Sequence, residues 1–255
     1  MEKKEHLYHF VGVVLPERAQ LTCDFALKFS HLSSGRLGEA KVKIILNKIV
    51  ASIRVDEEWD IFDLRNVVRN IVLNYTLMIG YIRGYCYNIE ITRVFVDDFS
   101  VDYVFGIDSG DLSKGREEVN IEEKIDFLKK ITSLDSGSYI LRCLSDLVSS
   151  IERVDDAAFY CYRAIEALSR HCAFMNNIEQ RNAVARWGLF RQLSCTDKDD
   201  IYRIKERSDP IRHGDMHRGE DMHPHEIRTM SWSIVDRYFD YLEQLISMPS
   251  IAQPE

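Results

Sequence analysis

The spacing of apolar residues changes part-way along the chain, and this change constrains the fold more than any other feature. Before about residue 110, apolar and polar residues alternate in segments such as Val42-Lys43-Ile44 and Ile53-Arg54-Val55. A period of two is typical of strands with one buried face. After about residue 116 the apolar residues recur every three and four positions, as in amphipathic helices. The sequence therefore predicts an α+β half followed by an all-α half.

The first half is predicted to be an antiparallel sheet packed on one long helix. Residues 7–15 and 21–29 are apolar-rich runs, and residues 41–46 and 49–55 flank Asn47-Lys48 as a hairpin with a two-residue link does. Residues 85–96 and 99–105 predict a second hairpin around Asp97-Asp98. Between the hairpins a helix is predicted over 61–82, ended by Gly84, with a wide apolar face: Leu64, Val67, Val68, Ile71, Val72, Tyr75, Ile79 and Ile82.

A linker is predicted over 107–115, which is rich in glycine, serine and aspartate and has no periodicity. We therefore place an α+β domain of unknown role at 1–115 and a helical bundle at 116–255. Helices are predicted over 121–131, 138–151, 155–174 and 178–193. Another should begin at Thr196, in an acidic capping box, and end near Ser208 because Pro210 disfavours helix in the residue before it. Pro224 should start the last helix, which reaches about residue 246.

Charge and cysteine content narrow the class of protein. The net charge of −8 excludes a generally basic surface for nucleic acid, but residues 163–218 hold 11 Lys+Arg and 8 Asp+Glu, a local excess of 11 − 8 = +3. The six cysteines form no CxxC pair, which is typical of reduced thiols in a cytosolic protein. No apolar run predicts a membrane span or a signal sequence. We therefore expect a cytoplasmic protein without membrane contact.

The segment Arg207-Ser208-Asp209-Pro210-Ile211-Arg212-His213-Gly214 carries the clearest chemistry in the chain. Histidine exchanges protons near neutral pH, and arginine grips phosphate in a bidentate manner and stabilises a pentavalent phosphorane. This pair suffices to cleave RNA without a metal, with the ribose 2′-hydroxyl as nucleophile. Arg207 and His213 are the predicted catalytic residues, and the accessory residues are Ser208, Asp209 and Arg212. Spacing alone favours the simpler interpretation of a solvated helix end with ordinary ion pairs, for example with Glu206 and Asp215.

This segment resembles the signature of the HEPN superfamily (higher eukaryotes and prokaryotes nucleotide-binding), an Arg-(four to six residues)-His motif at a helix end. A second likeness is the aromatic-rich run at 155–168, which leads to Glu166-Ala167-Leu168 as an earlier helix of such domains does. The resemblance covers about residues 120–247. The position after the family's arginine is often Asn, Asp or His, whereas here it is Ser208. The third polar residue of the site is therefore open.

The resemblance implies a metal-independent endoribonuclease of a toxin, phage-defence or RNA-processing system. It also implies a homodimer in which two motifs face each other, with RNA as substrate and, in some systems, a regulatory partner protein. Family members that have lost catalysis only bind nucleotides or partners, so a non-catalytic dimeric binding or sensor protein is the alternative.

The histidines at 213, 217, 223 and 225 raise the question of a metal site. His213 and His217 would share a face only on a continuous helix, and no cysteine or HExxH pattern accompanies them. We therefore expect no metal and no cofactor. Glu166 is interpreted as a helix-face partner of Arg170, and Tyr160 and Tyr162 as core or interface aromatics.

Overall fold

A computed structural model describes residues 5–30, 35–96, 101–106, 110–114, 116, 118–215 and 223–247. The chain divides into two units, Met1–Ile107 and Asp108–Glu255. The predicted turn Asp97-Asp98 and His217 lie outside the described residues. Each unit has its own hydrophobic core, one built from strands and a helix and the other from helices alone.

The first unit is a six-stranded antiparallel sheet with one long helix. Its strands are β1 (His6–Leu15), β2 (Cys23–Ser30), β3 (Leu37–Ile45), β4 (Lys48–Val55), β5 (Asn88–Val96) and β6 (Val101–Val104), in the order β2-β3-β4-β1-β5-β6. The alternation seen in the sequence places Ile49, Ala51 and Ile53 in the core and leaves Val50 exposed. The predicted α+β architecture is confirmed.

The turn between β3 and β4 is one residue earlier than predicted. Ile45 pairs with Lys48, so the two turn residues are Leu46 and Asn47, both with positive φ (47° and 69°). The Asn47 side chain explains this register. Its Oδ1 accepts a hydrogen bond from the Leu21 amide at 2.6 Å, and its Nδ2 donates to the Val14 carbonyl at 3.0 Å. The buried amide thereby ties the hairpin turn to the β1–β2 connection.

Helix α1 (Ile61–Arg83) confirms the long helix of the first unit. The Asp60 side chain accepts hydrogen bonds from the amides of Phe62 and Asp63, and Gly84 ends the helix at φ 68°. Its buried face is narrower than predicted. Ile82, at the end of the apolar pattern, is 78% exposed, because the buried row ends at Gly80.

The second unit is helical in its described residues. Its helices are α2 (Gly110–Ser113), α3 (Ile121–Thr132), α4 (Gly137–Glu152), α5 (Ala157–Met175), α6 (Ala183–Leu193), α7 (Lys198–Arg212) and α8 (Pro224–Ser247). Helix α2 lies within the segment predicted to be an irregular linker, and α6 starts five residues later than predicted. Helix α5 is the centre of this unit, because its apolar residues face helices on several sides: Cys161, Ala164, Ile165, Leu168 and Cys172. None of the described helices is both long enough and apolar enough to cross a membrane.

Candidate active site

Helix α7 continues through Pro210 and ends at Arg212, so the prediction that it ends near Ser208 is wrong. Proline lacks the amide that would bond to the preceding turn, but at this position the loss is confined to the last turn. The carbonyl of Pro210 accepts from the Asp215 amide at 2.9 Å, and that of Ile211 accepts from the Gly214 amide at 3.1 Å. This pair of bonds is a Schellman motif, with Gly214 at φ 75°. His213 is thereby fixed as the C-cap residue.

The N-terminal cap of α7 also differs from the prediction. Asp197 is the residue before the helix, and its side chain makes no capping hydrogen bond. Thr196 is buried and its hydroxyl donates to the Ser194 carbonyl at 3.0 Å. Arg237 of α8 donates from Nη2 to the Thr196 hydroxyl at 3.1 Å and from Nε to the Ser194 carbonyl at 2.8 Å. Thr196 therefore joins the α6–α7 loop to α8 and does not cap α7.

The core-facing row of α7 is Ile201, Ile204 and Ser208, which are all buried. Ser208 is 0% exposed, and its hydroxyl has no hydrogen-bond partner in the part of the chain that the structure describes. His213 is exposed. A direct role for Ser208 in orienting the imidazole is therefore not supported by its position.

The side chains of the two predicted catalytic residues extend from α7 in different directions. His213 follows Arg207 by six positions, which corresponds to about 9 Å along the axis and about 120° around it. Arg207 is half-buried beside the core-facing row, whereas His213 is exposed at the helix end. Helical spacing alone does not bring this guanidinium and this imidazole together on one face of one chain.

Asp209 and Arg212, near the end of α7, act electrostatically on Tyr162 of α5. Asp209 forms an ion pair with Lys205 at 3.4 Å. The pKa of Tyr162 on α5 is raised to about 12, first by burial and then by the carboxylates of Glu166 and Asp209. The guanidinium groups of Arg186 and Arg212 oppose this rise in the pKa. The end of α7 therefore shares its electrostatic environment with α5 and α6.

Glu166 holds two arginines and not only the one predicted from its spacing. Its Oε1 is 3.3 Å from Nη2 of Arg170 and 4.0 Å from Nη2 of Arg186. Arg186, only 6% exposed, donates from Nη1 to the Gln180 carbonyl at 3.2 Å. Burial, followed by the charge of Arg170, lowers the pKa of Arg186. Sequence reasoning missed Arg186, because residues so far apart in the chain meet only through helix packing.

Tyr162 also stacks on Trp187 of α6, with ring centroids 6.3 Å apart and planes at 20°. The high pKa keeps this phenol neutral at physiological pH, so it can donate a hydrogen bond but does not serve as a base. The arrangement around the end of α7 thus offers an exposed imidazole, an exposed guanidinium at Arg212 and a neutral phenol.

The described histidines outside α7 do not build a metal site. His223 and His225 stack at 5.6 Å between ring centroids, next to Glu226. Across the described ranges, no group of three or more His, Cys, Asp or Glu side chains has an arrangement that could hold a metal ion.

Comparison with known families gives one result for each half of the chain. Residues 8–105 match the model of the N-terminal domain of DUF8168, and residues 125–243 match that of its C-terminal domain, both described as domains of unknown function. The chain is similar to the DUF8168 family over both halves. No curated protein and no solved structure matched. Neither description names HEPN, so that resemblance rests on the motif and its place among helices.

Proposed function

We propose that the protein is a metal-independent endoribonuclease of HEPN type, with the end of α7 as its active site. The observation that carries this proposal is the exposed His213, fixed by the Schellman motif at the end of a helix whose last two turns supply Arg207 and Arg212. An imidazole in contact with solvent can reach a bound substrate and act on its protons.

The proposed reaction is transfer of a phosphodiester within RNA. His213 takes the proton of a ribose 2′-hydroxyl, whose oxygen attacks the adjacent phosphorus. The bond to the 5′-oxygen of the next nucleotide breaks, and that oxygen takes up a proton. Arg207 stabilises the charge that develops on the phosphorane, and Arg212 binds a phosphate oxygen. The products are a 2′,3′-cyclic phosphate and a 5′-hydroxyl.

We propose that two copies of the chain form the active unit. Arg207 and His213 leave α7 about 120° apart. A two-fold axis near the end of α7 places a second copy of each beside the first, which compensates for this divergence. In this arrangement RNA binds between the two α7 ends, Arg207 of one copy acts with His213 of the other, and solvent water supplies the proton to the leaving oxygen.

The test is cleavage of RNA by the purified full-length protein in EDTA. We expect His213→Ala and Arg207→Ala each to lower the rate by about 100-fold or more, because both groups act in the transition state. His225→Ala is the matched control, since this residue is also an exposed histidine of the second unit. Equal rates for the wild type and His213→Ala would reject the assignment, as would loss of cleavage in EDTA alone.

The different directions of the Arg207 and His213 side chains favour a second candidate function. In it the protein is a non-catalytic dimer that binds nucleotides or a partner. This candidate predicts RNA binding or partner binding without cleavage by the wild type. For the leading proposal we expect a cytoplasmic toxin or phage-defence protein held in check by a regulatory partner. Growth arrest on expression that requires both Arg207 and His213 would support that setting.

A further inference from the structure

One flank of α7 carries a stripe of long side chains that ends at the proposed active site. Its members, at intervals of four, three, four and three residues, are Lys198, Tyr202, Lys205, Asp209 and Arg212. Residues with this spacing lie above one another on one side of a helix. We call this row the α7 stripe. It leads from the start of the helix to the residue next to His213.

Tyr202 is the centre of the α7 stripe and is 48% exposed. The Nζ of Lys198 is 5.1 Å from the centre of its ring, and that of Lys205 is 6.0 Å away. A shallow concavity beside the ring is lined by Lys198, Asp199, Tyr202, Arg203 and Glu206. The phenol is therefore accessible, with a positive charge on either side of it along the helix.

The charge of the stripe suits a polyanion whose phosphates are spaced along the helix. Lys198, Lys205 and Arg212 contribute three positive charges, and Asp209, which pairs with Lys205 at 3.4 Å, contributes one negative charge. The acidic residues Asp199 and Glu206 lie on the neighbouring, outward row. A strand that follows the α7 stripe thus meets cations before and after the aromatic ring.

We propose that the α7 stripe binds single-stranded RNA, with one unpaired base stacked on Tyr202 and flanking phosphates on Lys198 and Lys205. Aromatic rings between cations are the usual means by which proteins bind single strands, since every base has a face that can stack. Bases within a duplex are already stacked on their neighbours, so a single protruding ring selects unpaired ones. The choice of RNA rests on the proposed function, which this inference deepens by naming how the substrate is held.

The stripe also sets where the bound strand is cut. Tyr202 and His213 are eleven positions apart, or about 16 Å along the axis. This distance places the stacked base a few nucleotides from the phosphate at His213. Arg212, which ends the stripe next to His213, binds an oxygen of the phosphate at His213. Tyr202 is thus a substrate-binding residue outside the catalytic pair.

The test is binding of a fluorescent 2′-O-methyl RNA, which lacks the attacking hydroxyl, measured by anisotropy with the full-length protein. We expect Tyr202→Ala to raise Kd about 10-fold, and Tyr202→Phe to stay within about twofold, because only the ring is needed. Lys198→Ala should lower the slope of log K against log salt by about 0.7. Tyr81→Ala is the matched control, because Tyr81 is a 90% exposed tyrosine of the first unit.

Three results would overturn the inference: wild-type affinity in Tyr202→Ala, equal binding of a duplex of the same sequence, or no binding of RNA by the wild type. Failure of the proposed function gives a different pattern. In that case binding still depends on Tyr202, but the protein cleaves no unmodified RNA, and His213→Ala behaves as the wild type in every assay.

Discussion

Ser208 lies next to Arg207 in the chain, yet its side chain faces the core of the helical unit and is fully buried. Its hydroxyl makes no hydrogen bond to any residue that the structure describes. Removal of such a group also removes the cost of its desolvation. We therefore predict that Ser208→Ala leaves RNA cleavage unchanged and leaves the free energy of unfolding unchanged or raises it by up to about 1 kcal/mol.

Ser231→Ala is the matched control for this prediction. Ser231 is also fully buried, but its hydroxyl donates to the Ile227 carbonyl at 2.7 Å. Loss of that bond should lower the free energy of unfolding in urea by about 1 kcal/mol. A loss of cleavage in Ser208→Ala without loss of stability would show that the serine acts on substrate, as the motif initially suggested.

At the scale of elements, the end of α7 depends on the conformation of one glycine. Gly214 has φ 75°, where a side chain is strained, although a Cβ there would meet no atom of the described residues within 4 Å. We predict that Gly214→Ala costs about 1 kcal/mol of stability and also lowers cleavage, because the strain is relieved by moving His213. Thermal unfolding and the cleavage rate measure the two effects.

Gly84→Ala provides the comparison, since Gly84 ends α1 at φ 68° and a Cβ there is equally free of contacts. It should lose similar stability but keep the wild-type cleavage rate. If both variants cleave at the wild-type rate, the Schellman motif does not position a catalytic group.

The spacing of apolar residues predicted most helices and strands, because burial of one face of an element requires apolar residues at that element's own period. Helix α1 was predicted over 61–82 and spans Ile61–Arg83, and the last helix begins at Pro224 as expected. Local rules failed where a distant contact decides the outcome. The hairpin turn shifted because Asn47 bonds to residues in the β1–β2 connection. Helix α7 passed Pro210 for a local reason, because the missing amide falls in the last turn, which Gly214 closes four residues later.

Local spacing also predicts one part of the candidate site and fails to predict another. Arg207 and His213 are found from a local motif, and the i, i+4, i+7 spacing of Lys198, Tyr202 and Lys205 is also readable in the sequence. Nothing local predicts that Tyr162 shares its environment with Arg212, because 50 positions separate them and only the packing of α7 on α5 unites them.

At the scale of the whole molecule, the chain has two units, and each matches one domain model of the same family. The proposed catalytic and RNA-binding residues belong to the second unit alone. The first unit has a sheet, a helix and an exposed apolar end on α1, where Tyr81 and Ile82 are 90% and 78% exposed. The test at this scale therefore concerns how copies of the second unit cooperate.

Mixed dimers decide whether Arg207 and His213 act within one chain or across two. Arg207→Ala and His213→Ala are each expected to be inactive alone. If each site combines Arg207 of one copy with His213 of the other, co-expression of the two variants restores activity. Random pairing makes one half of the dimers mixed, and each mixed dimer has one intact site of two, so about one quarter of the wild-type rate is expected.

The control is His213→Ala co-expressed with the Arg207→Ala/His213→Ala double variant, because no pairing of these chains contains an intact His213. Sites confined to one chain give a different result in the first mixture: no chain carries both groups, and the rate stays at that of the single variants. Restored activity would show that Arg207 of one copy and His213 of a second copy form one site. Verified mixed dimers that stay inactive would contradict this shared site.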